Sequence, residues 1–471
     1  MKYDLNALDA ALSARIQKKK LPGVSVCVRG PEGVIFEKGY GVANDKGMPL
    51  NEHTMMGIAS MSKSTATLAL CILAAEGKCS FRDPVTKYFP TFRMKGIPAD
   101  NVTLHHLATH TAGIPPMEPL EWSIALNSTQ RKETDWTRAM RATAPNQMNT
   151  IQQVVDYISE GRYPTLGEPG LYMSYSNEGY AILSYVVDQA AGYPLEQFLK
   201  DRVFGPMGMT RTVLDEDASE ARAMAGGNIT SLWERDEEGN FTCDDGWSVL
   251  PPFRSCACVK STAHDMARYY QCISNHGVLD GEQVIPAAAA DMMVGEAFPL
   301  TEKPYYCYGL NKRLWKGHTI CEHSGGLHGV STHGGLLLGE NYGFAALCNE
   351  GDQDTDDLCQ MMYNMIIGQP LEEPHIWLHP TEQPFSDPEM LLGSYICHEG
   401  EPVIMKVYQD EKGQLMASRP AGEYRMVHCG EGWFQFYNKN NELMGRCHFW
   451  VRDGKAWGVQ VYTRIYQRIE D

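Results

Sequence analysis

Residues 65–75 are nearly all small or apolar, and directly ahead of them stand Ser60-Met61-Ser62-Lys63. A run of that composition reads as a helix buried on all sides. The fold must therefore wrap around it and carry Ser60 and Lys63 at its head. Residues 21–40, just upstream, alternate and turn like a hairpin. Side chains at i and i+3 of a helix share a face, which lets the Lys63 amine lie beside the Ser60 oxygen. A desolvated lysine gives up its proton more readily and can then act as a base toward such a hydroxyl. The helix N-terminus adds partial positive charge and free N–H donors where an oxyanion would form. A bare S-x-x-K is common by chance; its placement between a hairpin and a buried helix singles this one out.

A chain of 471 residues has room for one large domain and a smaller one. It divides near residue 370, where Pro370, Pro374, Pro380, Pro384 and Pro388 punctuate the chain too often for a helix or an internal strand. Residues 1–370 are expected to form the larger domain, 371–388 a linker and 389–471 the smaller domain. In the smaller part, short alternating runs at 390–396, 403–409, 414–419, 424–429, 433–438, 443–451 and 455–464 are separated by Gly, Asp, Asn or Glu. That pattern predicts an antiparallel sheet or barrel. In the larger part, strand patterns at 23–29, 34–40, 306–315, 330–338 and 342–348 bracket a mostly helical middle. Neither set leaves room for βαβ crossovers, so the expected fold class is α+β, one antiparallel sheet carrying helices on its faces. Two segments look inserted: 232–246 reads as a solvated acidic loop, and 114–150 is long enough to border a cleft.

Composition narrows the function. The net charge of -17, from 41 basic and 58 acidic residues, argues against a nucleic-acid partner, and no basic stripe interleaves with aromatics. No apolar run approaches the about 18 residues of a membrane span. The first fifteen residues carry Asp4, Asp9 and Arg15 in an amphipathic pattern rather than a signal-peptide core, which points to the cytoplasm unless a signal has been removed. The fourteen cysteines are scattered without a C-x-x-C pair and suit buried, reduced thiols. His105, His106 and His110, and likewise His323, His328 and His333, lack acidic residues at helical ligand spacing. They read as structural histidines, and no metal or cofactor is expected. G-x-S-x-G, Walker and G-x-G-x-x-G motifs are all absent.

Two further groups carry candidate chemistry. Tyr175-Ser176-Asn177 follows Gly167, Pro169 and Gly170 and precedes an apolar helical pattern. A tyrosine beside a lysine could shuttle a proton, and the Asn177 amide could hold a substrate carbonyl or amide. A helix cap at Ser176 or Asn177 with a packed Tyr175 fits the same residues. His323-Ser324-Gly325-Gly326 ends a strand-like run. Paired glycines there permit close approach of a ligand along the strand, with the Gly326 N–H complementing that of Ser60 as an oxyanion hole. They fit a simple glycine hairpin as well.

Together these residues resemble the penicillin-recognising serine hydrolases, in the branch of class C β-lactamases, D,D-carboxypeptidases, D-aminopeptidases and related esterases. The resemblance spans roughly residues 20–350. Ser60-Met61-Ser62-Lys63 is similar to the nucleophile motif, Tyr175-Ser176-Asn177 to Y-x-N, and His323-Ser324-Gly325 to the third motif, K-T-G or H-x-G. Residues 102–113 and 261–269 resemble two further family segments in the right order. The resemblance implies that Ser60 is acylated, that Lys63 and Tyr175 form its base system, and that Asn177 positions the substrate. It also implies that His323 stands where β-lactamases hold a lysine and that Ser60 and Gly326 supply the oxyanion hole. The C-terminal segment is similar to the lipocalin-like domain of some members, which implies a role in covering the cleft or pairing subunits into a homo-oligomer.

Departures from the pattern shape the expected activity. An unperturbed histidine is mostly neutral at pH 7 and attracts a carboxylate less firmly than a lysine. Where the family brings a glycine pair, this chain has Ala257-Cys258-Val259-Lys260, with a charge at Lys260. Efficient β-lactamase action is therefore not expected. The expected activity is hydrolysis of a small amide or short peptide, D-aminopeptidase-like, through a Ser60 acyl-enzyme. The alternative is a carboxylesterase using the same residues. A binding protein that has lost catalysis is disfavoured by the intact Ser60, Lys63 and Tyr175.

Overall fold

Alternation along one strand organises the larger domain. The computed structural model describes residues 3–236 and 238–469. In β1 (Gly23–Gly30), Val24, Val26 and Val28 pack with Leu8, Leu12 and Ile16 of helix α1 (Leu5–Lys19). Cys27 and Arg29 point to the opposite face, where Arg29 donates to Gln271 at 3.0 Å. Each aliphatic side chain so buried contributes about 1.5–3 kcal/mol, and a one-residue slip would expose the valines.

Among the described residues, seven antiparallel strands form one sheet. After β2 (Gly33–Gly41) come β3 (Tyr305–Tyr306), β4 (Asn311–Trp315), β5 (His318–Leu327), β6 (Val330–Leu337) and β7 (Tyr342–Cys348). Their order is β3-β4-β5-β6-β7-β1-β2, so the two ends of the domain are stitched together at the β7–β1 pair. Helix α1 and a C-terminal helix (Asp356–Ile367) cover one face. On the other lie helices α2 (Ser62–Ala75), α3 (Asn177–Ala191) and α4 (Ala263–Ser274), within the larger core. This is the α+β arrangement that the strand patterns predict.

Three expectations for the larger domain change. The run at 306–315 is two strands, β3 and β4, rather than one. The strand ending at the Gly325-Gly326 pair instead continues to Leu327, with Gly325 opposite Thr332 and the turn at His328-Gly329. Residues 232–246 are a hairpin of Leu232–Arg235 on Phe241–Asp244 rather than a solvated loop. Its Glu234 and Asp244 hold the His328 ring from both sides, at 2.8 and 3.2 Å.

Helix α2 is buried from Ser62 to Leu73. Its hydroxyls are satisfied by its own backbone: Ser64, Thr65 and Thr67 donate to the carbonyls of Met61, Ser62 and Lys63. This lets polar residues occupy a helix with no wet face.

Eight antiparallel strands, from Gly393–Cys397 to Arg464–Ile469, close into a barrel among the described residues. Closure comes from pairing of Ser394–Ile396 with Gln467–Ile469. Inward positions alternate, as in Met405 and Val407, Tyr424 and Met426, and Phe434 and Phe436. The run at 455–464 stops short of the eighth strand, because the turn at Tyr462-Thr463 carries neither glycine nor proline. Tyr462 itself takes φ 52°. All fourteen cysteines are free thiols, and only Cys243 and Cys429 are not buried. Among the described residues no helix is long and apolar enough to cross a membrane.

Candidate active site

Ser60 sits in a single helical turn, Ala59–Met61, that feeds α2. Ala59 has φ 46°, a left-handed conformation that costs an L-residue roughly 1–2 kcal/mol. Flanking bonds hold it: Ile58 N–H donates to Val259 O at 3.0 Å and Met61 N–H to Ile58 O at 3.2 Å. Gly325 of β5 crosses directly behind. A Cβ there would lie 2.5 Å from Ile58 O and 3.0 Å from Ser60 N, so only glycine lets the strand pass.

The Lys63 amine donates to Ser60 Oγ at 3.0 Å and to the Cys256 carbonyl at 3.2 Å, in a fully buried position. It lies 4.9 Å from the centre of the Tyr175 ring. The Tyr175 hydroxyl is buried without a hydrogen-bond partner. His110 stacks on the Tyr175 ring at 4.1 Å and accepts the Ser176 N–H on Nδ1 at 3.0 Å. The Ser176 side chain caps α3 by accepting from Gly179 N–H at 3.1 Å. The cap reading of this motif and its position at the cleft therefore hold together.

Ser60, Asn177 and Gly326 line one cleft of about 890 Å³ with Glu121, Glu399 and Arg464. The segment 114–150 borders it through Glu121, Arg131 and Trp136. His323 is buried and does not line the cleft; it is bonded to Tyr306 Oη at 2.9 Å and to the Ser324 carbonyl. Burial first, then the nearby Lys63, pushes its imidazole down to about 3, so it is neutral at pH 7. Ser324 is exposed. The Lys260 ammonium donates to the Asp215 carbonyl over the Trp247 ring.

The barrel supplies residues that the sequence reading missed. The Thr463 carbonyl accepts the Tyr175 N–H at 2.8 Å, and Ser174 Oγ accepts the Ile465 N–H at 3.2 Å. Arg464 clamps Glu399 through two nitrogens at 2.5 and 2.6 Å, and Asn177 Nδ2 donates to Glu399 Oε1 at 3.1 Å. Burial, reinforced by Glu399, pushes the Glu121 carboxyl up to about 7. Burial also lifts Glu178 to about 8. Nothing in the periodicity near residues 399 and 464 marks them, because their role depends on where the barrel docks.

The remaining histidines go to separate partners. His105 Nδ1 meets Tyr308 Oη at 2.8 Å, and His106 Nδ1 accepts the Thr103 N–H at 3.1 Å. His333 lies between Glu322 at 3.1 Å and Asp356 at 2.5 Å, which raise it to about 10 against the opposing effect of burial.

A Beta-lactamase family model matches residues 8–359. A penicillin-binding protein of Bacillus subtilis (strain 168) is 25% identical over 197 residues, 42% of this chain and 38% of that one. A beta-lactamase of Pseudomonas fluorescens is 27% identical over 223 residues, 47% of this chain and 53% of that one. The chain thus spans about half or less of the length of these relatives. Among solved structures, an octameric penicillin-binding protein homologue from Pyrococcus abyssi superposes with a TM-score of 0.67 at 21% identity, covering 99% of this chain and 100% of that one. A protein named SurE gives 0.71 at 18% identity, covering 98% and 99%. D-amino acid amidase from Ochrobactrum anthropi SV3 gives 0.58 at 19% identity, covering 74% and 92%. At these identities the structural likeness shows the fold, while the family model covers most of the larger domain. The chain belongs to the Beta-lactamase family, within the serine-hydrolase superfamily of β-lactamase and penicillin-binding-protein fold, and carries a closed eight-stranded barrel behind that domain.

Proposed function

We propose that this protein hydrolyses small amides or short peptides bearing a free amine, through an acyl-enzyme on Ser60. The observation that carries this reading is the 3.0 Å bond between the buried Lys63 amine and Ser60 Oγ at the floor of a cleft. Lys63 takes the serine proton as Oγ attacks the carbonyl. The N–H groups of Ser60 and Gly326 hold the oxyanion, where one such donor is worth about 3–4 kcal/mol. The proton passes to the departing amine through Lys63 or the free Tyr175 hydroxyl, and water then cleaves the ester by the reverse route.

Electrostatics supports the substrate class. Glu121 lines the cleft with its carboxyl raised by burial and by Glu399. A substrate ammonium placed beside it would relieve that unfavourable environment. His323 is neutral, and Arg464 is already neutralised by Glu399. Neither offers an unpaired cation for the carboxylate of a β-lactam or of a peptide C-terminus.

The test is covalent labelling with a fluorophosphonate, followed by paired kinetics on an alanyl amide and its matching ester. An adduct on Ser60 with amide turnover supports the reading. Ester turnover without amide turnover would instead establish the carboxylesterase. Absence of a Ser60 adduct sinks both.

A further inference from the structure

Apart from the residues that line the Ser60 cleft, four chain segments bring five potential metal ligands together. Cys27 of β1 and Glu37 of β2 are directly opposed in the antiparallel register. Both meet His264, the second residue of α4. His264 Nδ1 lies 2.8 Å from Glu37 Oε2, and Cys27 Sγ lies 3.9 Å from the same oxygen. The ligand atoms of Cys27, Glu37 and His264 all fall within 4.8 Å of one another, and so do those of Glu37, Glu52 and His53. Glu37 is common to both sets. The His53 ring stands 4.9 Å from that of His264, and the Glu52 carbonyl accepts the His264 N–H at 3.3 Å. None of the five lines the Ser60 cleft.

We infer that Cys27, Glu37 and His264 form a binding site for a zinc-class divalent ion, with His53 or Glu52 closing the coordination. The ligand chemistry selects this class: one sulfur, one imidazole and one carboxylate suit a borderline ion that takes tetrahedral N, O and S donors. Zinc bonds of about 2.0–2.3 Å place tetrahedral ligand atoms about 3.3–3.8 Å apart, close to the spacing across Cys27, Glu37 and His264. The site is graded in exposure. Cys27 is fully buried at its base, while the side chains of Glu37 and His264 are 27% and 22% exposed at its mouth. An ion can enter from solvent and meet the thiol last. On binding, the Cys27 S–H bond breaks, its proton leaves to solvent and its electron pair forms the metal–sulfur bond. His264 gives up the Nδ1 proton that it shares with the Glu37 carboxylate, to solvent, keeps a proton on Nε2 and donates the freed Nδ1 lone pair, so that the His264–Glu37 contact gives way to coordination by both. The rigidity of a cross-strand pair and a helix start favours such a site, because little must be ordered on binding.

The experiment uses the full chain, treated with chelator and titrated with Co²⁺ as a spectroscopic substitute for zinc. The expected result is saturable binding of one ion per chain, with thiolate-to-cobalt charge-transfer absorption and the visible bands of tetrahedral cobalt, all displaced by Zn²⁺. Cys27→Ser should abolish the charge-transfer band; this control matters because thirteen other thiols remain. His264→Ala changes a partly exposed residue and should weaken Co²⁺ binding at least about 10-fold, with far-UV circular dichroism confirming the fold. Absence of saturable absorption, a charge-transfer band that survives Cys27→Ser, or unchanged affinity in a folded His264→Ala overturns the inference.

Discussion

Arg464 lies over the Tyr175 ring, its guanidinium carbon 4.3 Å from the ring centre, while its nitrogens clamp Glu399. The first residue of the last barrel strand thus packs on the candidate proton shuttle of the other domain and fixes the carboxylate to which Asn177 is bonded. Arg464→Ala would leave Glu399 beside Glu121 without its counter-ion. Since both partners keep about a fifth of their side chains exposed, the expected cost is about 1–3 kcal/mol. Arg464→Lys should recover only part of it, because an ammonium cannot make the paired contact. Urea denaturation of the full chain reads both.

Lys63→Ala should slow phosphonylation of Ser60 by about 10²–10⁴-fold, the usual contribution of a general base. Intact-mass spectrometry against time measures it, with circular dichroism showing that the fold persists. Unchanged labelling would remove Lys63 from the mechanism.

Gly325→Ala would set a methyl 2.5 Å from both Ile58 O and Thr332 Oγ1. The strand must shift off the Ser60 turn at a cost of about 1–3 kcal/mol, and Ser60 labelling should fall with it. Equal stability and labelling in this variant would show that the strand has slack.

Glu121→Gln should raise KM for an amine-bearing amide by about 10-fold, roughly 1.4 kcal/mol, and leave the N-acetylated substrate nearly unaffected. Equal effects on the two substrates would refute the ammonium contact.

Two buried histidines make opposite pH demands. His323 is depressed to about 3 in the folded chain against an ordinary value of 6.5. Between those values only the unfolded chain takes up its proton, so stability falls as pH drops below about 6.5. His333 is raised to about 10, so its stabilisation is complete below about 6.5 and is lost as pH climbs toward 10. His323→Gln should therefore flatten the acid limb of the stability profile, and His333→Gln the alkaline limb. Each effect is on the order of 1 kcal/mol per pH unit, read from urea midpoints across pH.

Much of this protein is legible in its residues. The buried composition of α2, the alternation of β1 and the repeated strand-and-turn text after residue 388 each follow from local periodicity. So does the juxtaposition of Ser60 and Lys63, which needs only one turn of helix. The turn at Tyr462-Thr463 is not legible, because a tyrosine in the left-handed region announces nothing. Glu234 and Asp244 read as solvated because their partner, His328, is distant in sequence.

From its sequence alone the chain determined the buried helix α2, the apolar pattern of α3, most of the strands of its sheet and barrel, and the residues at the head of α2, since these depend on neighbours within a few positions. Only the tertiary structure decided that Arg464 and Glu399 of the barrel enter the cleft, that His323 is buried against Tyr306 and that Cys27, Glu37 and His264 converge. The reason is physical: hydrogen bonds and ion pairs between distant segments form only once two domains and two layers have packed, and no local pattern encodes that distance.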